Sequence, residues 1–162
     1  MNLIVSVDNN WGIGYENGLL FHLPEDLKFF KSMTTGKNVV MGEKTFFSLP
    51  RQKPLPNRNN IVLSDNKELK IDGVTVVNTL DDLLEELKKY DADDVFIIGG
   101  QAVYSLMLPY CSTAYVTHVD AVKKADKFFP NLKEMKDWKL VYTSEPQNSG
   151  ELCFTYNTYK RI

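Results

Sequence analysis

The chain has 162 residues and a formal net charge of −2. That length suits one compact domain, and nothing in the charge suggests the basic stripe expected of a nucleic-acid binder. The start, Met1 to Asp8, lacks a basic and then long apolar leader, and no apolar run nears the ~20 residues needed to span a bilayer, so a cytoplasmic, non-membrane protein is expected. Cys111 and Cys153 show no CxxC or metal spacing and read as ordinary small residues in a reducing compartment.

In chain order, Leu3–Val7 is predicted as a first buried strand. Pro24 opens a helix running to about Met33, since proline suits a first turn. Asn38–Met41 is a second strand, ending at Gly42, followed by a short helix over Lys44–Leu49. Asn60–Ser64 and Val74–Val77 are the third and fourth strands. Thr79 begins a third helix, with Asp82 three residues on, close to a capping box. Val95–Ile98 is a fifth strand that ends at Gly99-Gly100, and Gln101–Leu108 is a fourth helix stopped by Pro109. Ala114–Val119 is a sixth strand. Trp138–Ser144 and Leu152–Lys160 form a closing hairpin linked through the turn residues of 146–150. Continuous Val- and Ile-rich runs suit a sheet covered on both faces. Strand–helix alternation predicts an α/β fold with a mainly parallel eight-stranded sheet, a C-terminal antiparallel hairpin and about four flanking helices.

The helix from Pro24 holds the most informative residue. At 100° per residue, Leu23, Phe29, Phe30 and Met33 lie within roughly 60° of Asp26, while Glu25, Lys28, Lys31 and Ser32 point elsewhere. A carboxylate on an apolar face needs a partner. It is either a helix N-terminal group bonding its own backbone amides or a pocket acid that pairs with a cationic or amide-like ligand. Gly99-Gly100 ends a strand and opens a helix, where bare amides suit phosphate. It can equally be a plain tight turn. Gly42-Glu43-Lys44-Thr45 repeats that geometry, and Ser64 ends the third strand. All lie at carboxyl ends of strands, the edge at which open α/β sheets bind ligands. Two strand–Gly–helix turns suit the two ends of a dinucleotide. His22 and His118 read as satisfied structural histidines, no nucleophile elbow is present, and no metal site is expected.

These residues, taken as an ordered set, strongly resemble dihydrofolate reductase. The carriers are Trp11-Gly12-Ile13-Gly14, Leu23-Pro24-Glu25-Asp26-Leu27, Val40-Met41-Gly42, Leu55-Pro56-Asn57-Arg58-Asn60, Ile97-Ile98-Gly99-Gly100, Val103-Tyr104, Thr117-His118 and Phe129-Pro130. The resemblance implies that Asp26 holds a pterin and promotes its protonation, with Thr117 supporting that contact. It implies pocket walls from Ile4, Val5, Leu27, Phe30, Leu49 and Ile98. Tyr104, Lys31 and Lys53 join the substrate-binding set, and Arg58 would grip a glutamate tail as a planar fork on a carboxylate. NADPH would be held by Gly42, Lys44, Thr45, Leu63, Ser64, Gly99, Gly100, Gln101 and Val103, and by Ser6 nearer the reacting rings. NADH would serve as a weaker alternative. Ile13, Gly14 and Asn17 would belong to a loop, reaching Leu23, that closes over the nicotinamide and excludes water. The whole of 1–162 would be one domain with an adenosine-binding subdomain at about 37–92, and the protein a monomer.

Hydride transfer belongs to the cofactor, so neither nucleophile nor metal is needed. The sequence departs from the pattern at Phe21, where the family usually has Trp, at Glu43, usually basic, and at Asn78 and Ala102, basic in some members. Ala125 replaces a usual glycine, and Pro50–Pro54 is slightly longer than the common form, which leaves Arg51 and Lys53 open as tail contacts. The competing readings are a related pterin or pyrimidine reductase, which Asp26 within Leu-Pro-Glu-Asp-Leu opposes, and a non-catalytic nucleotide-binding module.

Overall fold

A computed structural model describes all 162 residues. The strands are β1 (Asn2–Val7), β2 (Gly12–Tyr15), β3 (Gly18–Leu19), β4 (Asn38–Gly42), β5 (Asn59–Leu63), β6 (Val74–Val77), β7 (Val95–Gly99), β8 (Thr113–Val119), β9 (Lys127–Phe128), β10 (Trp138–Thr143), β11 (Gln147–Ser149) and β12 (Leu152–Arg161). The helices are α1 (Pro24–Thr34), α2 (Glu43–Phe47), α3 (Leu80–Leu87) and α4 (Gln101–Met107). The main sheet runs β10-β12-β8-β1-β7-β4-β5-β6, with β11 also on β12. From β8 to β6 every pairing is parallel, and the β12 pairings are antiparallel.

Alternation along the strands sorts the core into two layers. On β1, Leu3, Val5 and Val7 face a cluster that takes Val103, Tyr104 and Met107 from α4 and Leu83 and Leu87 from α3. Ile4 faces the other way, into a cluster with Val39, Met41 and Phe96, covered by Phe29, Phe30 and Met33 of α1 and Phe46 of α2. The i,i+4 pair Leu83 and Leu87 is what docks α3. Its start is capped as the sequence predicts: Thr79 Oγ1 accepts from the Asp82 amide at 3.0 Å. At β7, Val40 pairs with Ile97 but Met41 with Gly99, so Ile98 is an extra residue that bends the strand beside the glycine turn.

Two expectations are corrected. The stretch from Ile13 to Leu23 is no plain loop: β2 and β3 form a hairpin, and β9 pairs with β2. Its two-residue turn has Glu16 and Asn17 both at positive φ, 50° and 64°, which fits the right-handed twist of a tight hairpin. The closing hairpin is also more complex. β10 pairs with the C-terminal half of β12, while β11, inside the predicted link, pairs with its N-terminal half. The main sheet therefore has nine strands, and the tight turn sits at Gly150, where φ is +59°.

Candidate active site

The β1–β8 register sets Ser6 opposite Thr117, and α1 crosses above them. Thr117 Oγ1 donates to Asp26 Oδ1 at 2.7 Å. Asp26 thus fills the role of pocket acid rather than helix cap. No side chain caps α1; at the neighbouring position the backbone of Glu25 and the Ser149 side chain hold the Glu25 carboxyl below its usual range. Burial pushes the Asp26 carboxyl up, and the Thr117 hydroxyl only partly offsets this. Asp26 lines a cavity with Ser6 and Leu27, roofed by Ile13, Leu19, Leu20, Phe21 and Leu23.

The predicted walls divide. Phe30, Leu49 and Ile98 pack around the Ile4 layer, and Leu27 stands exposed at the cavity edge. Val5 does not belong to this wall: side chains alternate across a strand, and its own lies in the opposite layer with Leu3 and Val7. Tyr104 acts from that opposite layer as a brace. Its hydroxyl donates to the Ile4 carbonyl at 2.7 Å, and burial, with Asp26 adding to it, raises it far above the ordinary tyrosine range. Lys31, Arg51 and Lys53 are exposed. Arg58 is held in place: Nε donates to the Pro56 carbonyl at 2.9 Å and Nη1 to Thr34 Oγ1 at 3.1 Å.

The two glycine turns meet. A Cβ on Gly100 would lie 3.3 Å from Thr45 Oγ1, and one on Gly42 would lie 3.2 Å from Val103 Cγ2. A side chain at either position would crowd its neighbour, so glycine lets the two turns pack closely. Val103 is buried and serves that packing, and Leu63 packs into the same layer. Lys44 is exposed beside the turn. Next along the edge, Ser64 Oγ donates to Glu43 Oε2 at 2.8 Å and accepts from the Asn66 amide at 3.1 Å. Asn78 Nδ2 donates to the Ser64 carbonyl at 2.8 Å.

Several site-shaping contacts are absent from the sequence reading. Gln101 Oε1 accepts from the Phe128 amide at 2.7 Å, tying β9 to α4. Asp8, buried, accepts from the amides of Asn10, Gly12 and Lys123. Lys123 Nζ lies 4.8 Å from the Phe21 ring centroid and donates to the Leu20 carbonyl. Phe21 lacks an indole donor and takes this cation–π contact on its ring face. Gly14 sits in the β2–β3 hairpin, where a Cβ would meet the Gly18 carbonyl at 2.9 Å. His118 is structural, its Nε2 2.9 Å from the Tyr159 hydroxyl, whereas His22 is exposed rather than a packed structural residue. Cys111 is buried, with its thiol pushed up to about 12. No helix is long and apolar enough to cross a membrane.

Known proteins share this architecture throughout. A family model described as dihydrofolate reductase matches residues 1–161. The dihydrofolate reductase of Bacillus subtilis (strain 168) is 38% identical over 156 residues, 96% of this chain and 90% of the relative. That of Buchnera aphidicola is 37% identical over 157 residues, 97% and 95% of the two chains. A solved structure from Enterococcus faecalis, complexed with NADP(H) and RAB-propyl, superposes with a TM-score of 0.87 at 35% identity, covering 99% of this chain and 95% of that one. With the acid, the glycine turns and the sheet order in place from end to end, the chain belongs to the dihydrofolate reductase family.

Proposed function

We propose that the chain reduces 7,8-dihydrofolate to 5,6,7,8-tetrahydrofolate, with NADPH as the cofactor. The observation that carries this reading is Asp26, a carboxylate set on an apolar helix face at a cavity and pinned by Thr117. NADPH supplies the hydride when bound. The residues fit it in the cavity and along the turns. From the cavity below the β2–β3 hairpin, the carboxyl edge passes Gly99 and Gly100, then Gly42 to Thr45, then Ser64. The distance from β1 to β5 is three strand spacings, about 14 Å, a suitable reach for a dinucleotide, and residues 37–92 would carry its adenosine end. Lys44 would meet phosphate.

Asp26 pairs with the donor-rich edge of the pterin and favours protonation of the ring. Its raised pKa brings proton exchange closer to working pH. Thr117 fixes the carboxylate's rotation. Phe30, Leu49 and Leu27 flank the substrate, and Arg58, with Lys31 or Lys53 nearby in the chain, meets the anionic tail. Ile13, Gly14 and Asn17, in the hairpin over the cavity, exclude water. A monomer is part of the same reading, as is a cytoplasmic setting, which two cysteines without a disulfide support. The test is cofactor oxidation on adding dihydrofolate, compared between NADPH and NADH.

A further inference from the structure

The cavity beside Asp26 contains a hydroxyl that the mechanism above leaves unused. Ser6 is the in-register partner of Thr117 across β1 and β8. Parallel neighbours in register share a sheet face and stand about 4.8 Å apart. Thr117 is committed to Asp26. Ser6 Oγ is shielded from solvent and hydrogen-bonds to no group of the protein, although Ser6 lines the same cavity as Asp26 and Leu27. The other buried polar atom in this condition, Trp138 Nε1, belongs to a ring stacked under the Arg161 guanidinium, 4.7 Å from its centroid, and lines no part of this cavity.

A buried hydroxyl without a partner is unfavourable, and such groups call for a specific explanation. Alanine or valine would satisfy this strand equally well. A serine hydroxyl both donates and accepts, so it can meet either an N–H or a bare ring nitrogen. Asp26 anchors one edge of a flat heterocycle. A second contact one strand away would fix how the ring is turned within its plane, which matters for a reaction that depends on alignment.

We propose that Ser6 Oγ is a specificity-determining hydrogen-bonding group for the pterin ring, in addition to Asp26 and Thr117. This rests on the functional reading above, and it moves Ser6 from the cofactor to the substrate. Its signature is a pair of opposite effects. Ser6→Ala removes an unpaired hydroxyl from the ligand-free protein, so its Tm should rise by about 2 °C. The same change removes one bond from the complex, so the Kd for dihydrofolate should rise about three- to tenfold, with the Kd for NADPH unmoved. Ser6→Cys, similar in size but a weak donor, should show the same loss of substrate affinity. An unchanged Kd for dihydrofolate, a loss confined to NADPH, or a fall in Tm of the ligand-free protein would each overturn the proposal. Failure of the wild type to bind dihydrofolate would overturn the functional reading together with it; a wild type that binds normally and an unaffected Ser6→Ala overturn the role of Ser6 alone.

Discussion

Thr117 Oγ1 donates a 2.7 Å hydrogen bond to Asp26 Oδ1, joining β8 to the first turn of α1 across 91 positions of sequence. The bond orients a carboxylate that burial would otherwise leave unsupported. Asp26→Asn should keep the fold and lower turnover at neutral pH by ~10²–10⁴-fold, with a smaller loss in acid, where solution protonates the substrate. Stability should move the other way. The folded carboxyl binds its proton more tightly than the unfolded one, whose ordinary value is 3.8. Asp26 therefore subtracts from stability as pH rises above that value through its raised folded pKa. The ligand-free Asn variant should be the more stable at pH 7 in urea unfolding; wild-type turnover, or a less stable variant, would contradict this.

Arg58 is pre-positioned by Pro56 and by Thr34. A contact to the substrate tail acts about equally in ground and transition states, so Arg58→Lys should raise KM more than it lowers kcat. Steady-state kinetics with a pterin lacking the tail should show little change. Equal losses on both substrates would make Arg58 purely structural.

The Glu43 carboxylate accepts from Ser64; on the proposed placement of the cofactor, that acid and Asp65 would face the 2′-phosphate of NADPH. An NADPH preference weaker than usual for the family, and sensitive to salt, is expected. Glu43→Arg should improve kcat/KM for NADPH by about 1–3 kcal/mol of binding and leave NADH nearly unchanged. An unmoved NADPH-to-NADH ratio would show that Glu43 stays with Ser64 and never meets the phosphate.

His118 predicts an acid limit on stability. Burial lowers it from 6.5 to about 4 in the folded chain, so between those values the unfolded chain binds more protons. Stability that is full above about pH 6.5 is lost as pH falls towards 4. After allowance for partial exposure the contribution is about 1–2 kcal/mol. Denaturant midpoints at pH 7 and pH 5 should differ less for His118→Gln than for the wild type; equal differences would remove His118 from the acid response.

Much of this architecture was legible in the chain. Parallel strands buried on both faces are continuous apolar runs, so β1, β4 to β8 and the glycine turns at Gly42 and Gly99 stand out. Asp26 stands out because helical spacing sets it among Phe29, Phe30 and Met33. What stayed hidden depends on distant pairing. The strand β2 is short and glycine-rich, and its partner β9 lies more than 100 residues away; β11 is built from turn-forming residues. The ties from Gln101 to Phe128 and from Glu43 to Ser64 have no local signal. Val5 is the one misplacement that strand alternation could have prevented, since Ile4 and Val5 face opposite layers.

The most direct test of the account is the absorbance change on NADPH oxidation when dihydrofolate is added to the purified wild-type protein, run beside Asp26→Asn at pH 7. Dihydrofolate-dependent oxidation by the wild type, at least a hundredfold faster than by the variant, is the predicted result. Oxidation that does not depend on dihydrofolate, or that proceeds equally fast without the Asp26 carboxylate, would contradict it.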